Sequence, residues 1–429
     1  MLIKGGRIID PSQELDSEGD LLIRGDHIEG IYPDSRVSTG EQGEEEVVDA
    51  RGLWVIPGVI DMHVHLREPG FEYKETIESG CKAAAAGGIT ALACMPNTDP
   101  VNDHAAITRY IKVRAEASGF PKIYPVGAIS RGLKGESLSE IGELKEAGVV
   151  ALSNDGNPVR DSLLMRRAME YASTFDLLVI SHCEDPSLSW RGVMNEGRVA
   201  MELGLRGIPC AAEEIVVARD IILSELTGCP LHIAHVSTKG SVRLIREAKE
   251  RGLKVTSEVT PHHLILTEEA VRSWDTNTKV NPPLRSSEDV EALQEALTDG
   301  TIDVIASDHA PHALVDKEVE YEQASFGISG LETMVGLTLM LVHKGLLDPM
   351  EWVRKISTNP AAILRVRGGG FQRSGPADVT LIDPKRRWTV SPQNFYSKGK
   401  NTPFAGWELR GSVAMTIVEG RIIHKAPWL

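Results

Sequence analysis

Several absences narrow the chain before any motif does. It has five cysteines, an odd number, and no CxxC pair; in a chain of this size that reads as reduced thiols in a reducing compartment. No stretch reaches the roughly 18 apolar residues of a membrane span, and Met1 to Asp10 lacks a charged segment followed by a long apolar run. The expectation is a cytoplasmic protein with no membrane partner. Basic excess is also missing: the formal net charge is −15. That argues against non-specific nucleic-acid binding and leaves room for a local basic pocket for an acidic substrate. There is no short tandem repeat and no low-complexity tract. What is left is ordinary for a globular protein, with 429 residues, 41% hydrophobic and 25% charged. Such a chain can bury a substantial core without disulfides or a structural metal, as one large domain or two to three smaller ones.

Both ends carry short apolar runs separated by Gly, Asp and Pro: residues 1–9, 20–24 and 27–31 at the start, and 378–382, 412–418 and 421–424 at the end. They suggest one small β domain, a sandwich, assembled from residues 1–55 and 369–429. The polar, acidic stretch at 40–46 reads as an exposed loop. The middle alternates instead. Strand-like runs at 54–66, 88–96, 122–129, 149–153, 177–182, 231–236, 254–259 and 302–307 are separated by helix-like segments such as 73–86, 213–226, 241–251 and 289–297. Strands alternating with helices indicate βα units and a parallel sheet. Eight of them fit a closed (β/α)8 TIM barrel over residues 56–368, with an open doubly wound sheet as the alternative. The apolar segment at 331–342 reads as core packing or as an assembly surface.

Ionisable residues gather at the C-terminal ends of these runs, the face where a barrel builds its site. His63 and His65 are two apart on a strand and point to the same side, which makes half of a first-row divalent metal site. His182 and His235 end two other strands; each alone fits a hydrogen-bonded core histidine, and together they read as a second pair of nitrogen ligands. His232 lies three residues before His235, so strand parity turns it to the opposite face and a structural role. Asp155 opens Asp155-Gly156-Asn157-Pro158, a strong turn composition, so it is a turn residue or a ligand. Asp308 follows an apolar run and would be expensive to bury without a partner, which a metal supplies. Four histidines and two carboxylates can hold two divalent ions, which lower the pKa of a bridging water and polarise an amide carbonyl. Asp308 suits the proton transfer. Cys183 adjoins His182 but faces the other way, which disfavours a thiol nucleophile. Arg67, Asn97 and His312 also sit at the mouth, where they can grip a substrate carboxylate. Arg285 with its neighbours, or the segment 314–325, could close over the mouth.

The run Asp61-Met62-His63-Val64-His65-Leu66-Arg67-Glu68-Pro69 resembles the first dihydroorotase motif. Ala306-Ser307-Asp308-His309-Ala310-Pro311-His312, followed by Lys317, resembles the second. Met95-Pro96-Asn97-Thr98, Asn281-Pro282-Pro283-Leu284-Arg285 and Ser325-Phe326-Gly327 match in order and spacing. The resemblance covers essentially the whole chain and is nearest to the long bacterial, type I, class. It implies a TIM barrel of the metal-dependent hydrolase type and the reversible zinc-dependent cyclisation of N-carbamoyl-L-aspartate to L-dihydroorotate in pyrimidine synthesis. It also implies one or two Zn2+ ions per subunit, two being expected. His63, His65, Asp155 and Asp308 would hold one, and Asp155, His182 and His235 the other, with Asp308 as general base and acid. Substrate would meet His65, Arg67, Asn97, Asn281, His312, Phe326 and Gly327. A homo-oligomer, with or without aspartate transcarbamoylase, is implied as well. Related hydantoinases and allantoinases bridge their metals with a carbamylated lysine after strand four; residues 149–155 contain no lysine. The pair before Asp155 reads Ser153-Asn154, where the family often has an extra acidic residue. The alternatives are another cyclic-amide hydrolase, of dihydropyrimidinase or allantoinase type, and a non-catalytic partner of aspartate transcarbamoylase.

Overall fold

Short β-branched and apolar runs separated by amphipathic helices become eight strands: β1 (Val59–Val64), β2 (Ile89–Cys94), β3 (Lys122–Ala128), β4 (Ala151–Ser153), β5 (Leu178–Ser181), β6 (Leu231–Ile233), β7 (Val255–Val259) and β8 (Val304–Ile305). They come from a computed structural model that describes residues 1–33, 46–119 and 122–429. Of the acidic stretch at 40–46, only Glu46 lies among the described residues. Each strand pairs in parallel with the next. The ring closes through a bridge between Val64 and His309, where the His65 amide donates to the His309 carbonyl at 2.8 Å. This is the TIM barrel, not the open sheet. Every residue of β1 and β2 is buried, as a parallel sheet covered on both faces requires.

The helices show why they pack outside. Lys239–Glu250 buries Ser241, Val242, Ile245 and Ala248, one stripe at helical spacing, and Thr238 caps it by accepting from the Ser241 amide. Ser287–Asp299 starts with a capping box between Ser286 and Asp289. The apolar segment at 331–342 becomes the helix Met334–His343, most of it buried, so its hydrophobicity serves the core.

Both termini build the second sheet. Its order is Arg421–Lys425, Glu408–Val418, Val379–Thr389, Trp54–Pro57, Leu2–Asp10, Leu15–Arg24 and His27–Pro33, with Val47–Asp49 also paired on Leu2–Asp10. It has its own apolar cluster, including Ile8, Leu21, Val55, Leu381 and Met415. One expectation needs correction here. The apolar run at 54–66 is two strands, Trp54–Pro57 in this sheet and Val59–Val64 in the barrel. Gly58 between them lies so close to β2 that a Cβ would meet Thr90 Oγ1 at 2.2 Å. Hydrophobicity alone does not reveal a change of sheet within a continuous apolar run.

Candidate metal centre

Strand pleating delivers the first two imidazoles. His63 Nε2 lies 3.3 Å from Asp155 Oδ1, and His65 Nε2 lies 3.3 Å from Asp155 Oδ2. Asp155 begins the turn after β4 and is buried, so the turn and the site use the same residue. From the other side come His182 Nδ1 at 3.5 Å and His235 Nε2 at 3.4 Å from Asp155 Oδ1. His63, His65 and Asp155 form one buried group that could hold a metal; Asp155, His182 and His235 form a second. Asp155 is common to both. Asp308 Oδ1 sits beside the first group, 3.2 Å from His65 Nε2 and 3.6 Å from His63 Nε2. Arg67, His235 and Asp308 all have positive φ, at 64°, 33° and 47°. Non-glycine residues persist there, at about 1–3 kcal/mol each, where surrounding contacts over-determine them, as at functional sites.

The electrostatics call for positive charge. Burial alone would push Asp155 and Asp308 up, but the charge of His63 and the close approach of the neighbouring imidazoles outweigh it and hold both well below the usual carboxylate range. For His182, burial favours the neutral ring; Asp155 and Glu184 overcome it and raise the group to about 10. Buried His63 Nε2 and Asp155 Oδ1 face each other without any hydrogen-bond partner. A divalent cation fits: it supplies the charge and takes both lone pairs, and a mixed imidazole and carboxylate set suits a first-row ion.

Outer contacts aim the ligands. His65 Nδ1 lies 2.8 Å from Asn97 Oδ1, and His182 Nε2 lies 3.0 Å from Glu184 Oε2, which also accepts from Asn281 Nδ2 at 2.8 Å. With those nitrogens carrying the protons, each ring presents its free lone pair to the shared space.

Next to the metal groups lies a cavity of about 310 Å³ lined by His65, Arg67, Asn97, Asn281, His312, Phe326 and Gly327, together with Asp155, His182, His235 and Asp308. The structure therefore brings every substrate-binding candidate to the same cavity as the metal groups. Arg67 is fixed by Nε donating to the Pro311 carbonyl at 3.2 Å. Both nitrogens of His312 have protein partners: Nε2 lies 2.8 Å from the Phe326 carbonyl, and Lys74 Nζ lies 3.2 Å from Nδ1. Burial, then the charges of Arg67 and Lys74, keep this ring neutral, down to about 2. Gly327 has φ +140°, and a Cβ there would meet the Ala310 carbonyl at 2.6 Å, so the mouth needs glycine at that point. The Asn154 amide turns away to Ser130 Oγ at 2.8 Å and takes no part in the metal groups.

Three findings differ from the sequence reading or add to it. His232 does not turn away from the barrel; its Nε2 lies 3.2 Å from Glu258 Oε2. Strand parity fails because β6 ends at Ile233 and His235 has left the pleat at φ 33°. Glu258, Glu184 and Lys74 were missed as contributors. For Glu258 a signal existed, since a carboxylate inside the buried run at 254–259 raises the same question as Asp308. Arg285 is no lid: it is buried and donates to Ser237 Oγ at 3.1 Å, Asn195 Oδ1 at 2.9 Å and the Ile208 carbonyl at 2.8 Å.

Known proteins share the sequence and the fold. A family model described as Dihydro-orotase-like matches residues 52–241. A dihydroorotase from Syntrophus aciditrophicus is 55% identical over 426 residues, covering 99% of each chain. One from Geobacter metallireducens is 55% identical over 425 residues with the same coverage. Among solved structures, the L-hydantoinase (dihydropyrimidinase) from Arthrobacter aurescens superposes with a TM-score of 0.87 at 25% identity, covering 99% of this chain and 96% of that one. A D-hydantoinase from Thermus sp. gives 0.84 at 26% identity, covering 99% and 95%. The fold is thus shared with cyclic-amide hydrolases, and among the described residues no helix is long and apolar enough to cross a membrane. On full-length identity, the chain belongs to the dihydroorotase family.

Proposed function

We propose that the chain interconverts N-carbamoyl-L-aspartate and L-dihydroorotate, using one or two Zn2+ ions per subunit and two at full loading. The observation that carries this reading is Asp155 shared between two histidine groups, with Asp308 beside them and Arg67 in the same cavity. His63, His65, Asp155 and Asp308 would hold one ion, and Asp155, His182 and His235 the other. When bound, such ions would lower the pKa of the attacking water and polarise the ring amide carbonyl.

The chain's own residues do the rest. Asp308 takes the proton from the attacking water and delivers it to the leaving ring nitrogen; in the direction of ring closure the same carboxyl runs the transfer backwards. Arg67 pairs with the substrate carboxylate, helped by the Asn97 amide nitrogen, since Asn97 Oδ1 is engaged with His65. His312, beside Arg67, completes that end of the cavity. Asn281 and the Phe326–Gly327 backbone face the ring and carbamoyl part. The same reading carries to assembly as a homo-oligomer, with or without aspartate transcarbamoylase, which the solution mass of the purified protein and its co-elution with that enzyme test.

Arg67→Ala tests the substrate class. Loss of a charge-assisted pair worth about 1.5–3 kcal/mol should lower kcat/KM for carbamoyl-aspartate roughly tenfold to a hundredfold, mostly through KM. Unchanged kinetics would remove the carboxylate clamp from the account and favour a neutral cyclic amide.

A further inference from the structure

We propose that Glu258 is a positioning residue, a common brace that sets one ligand of each metal group; the proposal rests on the metal-centre reading above. Glu258 lies on β7 and is fully buried. Its Oε1 lies 2.5 Å from His63 Nδ1 and also accepts from the backbone amide of His235 at 3.3 Å. Its Oε2 lies 3.2 Å from His232 Nε2, and His232 Nδ1 lies 2.8 Å from Thr256 Oγ1. One side chain thus joins β1, β6 and β7 and touches a residue from both groups.

Each contact has a consequence at the metal groups. Glu258 Oε1, 2.5 Å from His63 Nδ1, accepts the proton of that nitrogen, so the lone pair is on Nε2, the atom facing Asp155 and Asp308. At His235 the bond is to the backbone. It holds the amide of a residue at φ 33°, a conformation that needs external support in a non-glycine residue, and that conformation aims Nε2 at Asp155. His232 is the backstop: with Nε2–H donating to Glu258, its Nδ1 accepts from the Thr256 hydroxyl, and every polar atom of the ring is used. This accounts for a buried histidine that ligates nothing.

The test is a chelator-competition titration of metal-free protein with Zn2+, for wild type, Glu258→Gln and Glu213→Gln. Glutamine keeps the size of the side chain but presents an amide N–H to the donors on one side, His63 Nδ1–H with the His235 amide or else His232 Nε2–H, so the brace is broken on that side. Glu213 is the control: also buried, it accepts from the Ser237 and Thr238 amides and does not line the cavity. Glu258→Gln should weaken both stepwise Zn2+ affinities about 10–100-fold while its metal-free far-UV spectrum stays native, and Glu213→Gln should leave both affinities unchanged. Should Glu258→Gln not fold, His232→Gln, which removes only the backstop, should weaken both steps in the same direction. Wild-type affinity in the Glu258 and His232 variants, or loss at one step alone, overturns the brace. Wild-type protein that binds no Zn2+ overturns the metal-centre reading and the brace with it.

Discussion

At Gly58 there is no room for a side chain. A Cβ would meet Thr90 Oγ1 at 2.2 Å and Thr90 Cβ at 2.8 Å, displacing the Thr90 hydroxyl from its bond to the Val59 carbonyl at 3.1 Å. Overpacking a closed interior costs about 1–3 kcal/mol, so Gly58→Ala should lower the urea midpoint with an unchanged slope. Gly58 precedes β1, at the end away from His63, so activity per folded molecule should be retained. An unchanged midpoint would mean the sheets can separate there freely. At this same scale the residues that gather at the mouth were legible and the side chains that brace them were not. His63, His65, His182, His235 and Asp308 announce themselves as polar residues ending apolar runs. Asn97 and Glu184 also end runs, but nothing in the sequence says that they grip imidazoles rather than substrate. His232 defeated parity because the pleat stops at Ile233.

Among the elements, the segment after β8 carries a buried lysine whose protonation changes near neutral pH. Its first helix, Leu314–Lys317, exposes Leu314 at 63% and Val315 at 75% while burying Lys317. Lys317 Nζ donates to the Ser325 carbonyl at 2.7 Å and the Gly327 carbonyl at 3.2 Å, fixing the backbone that lines the cavity. Burial, reinforced by Lys279, outweighs Asp275 and Asp316 and lowers Lys317 from 10.5 to about 7. The unfolded chain therefore binds more protons than the folded one between pH 7 and 10.5, and this group's contribution to stability rises with pH across that window. Lys317→Met should flatten that rise in denaturation curves measured at a series of pH values; a parallel pair of curves would show that Lys317 stays charged when folded. The eight barrel strands could be read from alternation because parallel strands buried on both faces are continuous apolar runs. The break at Gly58 could not, because both sheets want the same residues there.

For the whole molecule, the two sheets divide the work. The terminal sheet packs its own core, and the barrel brings residues from β1, β4, β5, β6 and β8 to one mouth. A chain of net charge −15 still places Arg67, Lys74 and His312 together at that mouth, where an anionic substrate would be held. The central claim is that a divalent metal centre and the Asp308 carboxyl act together on a cyclic amide. The most direct measurement is zinc content alongside dihydroorotate hydrolysis, for wild type and Asp308→Ala. The account predicts bound zinc and turnover in wild type, and in Asp308→Ala a fall in kcat of about 10²-fold or more with zinc still held by the two histidine groups. Zinc-loaded wild type that leaves dihydroorotate intact, or an Asp308→Ala variant with undiminished turnover, would contradict it.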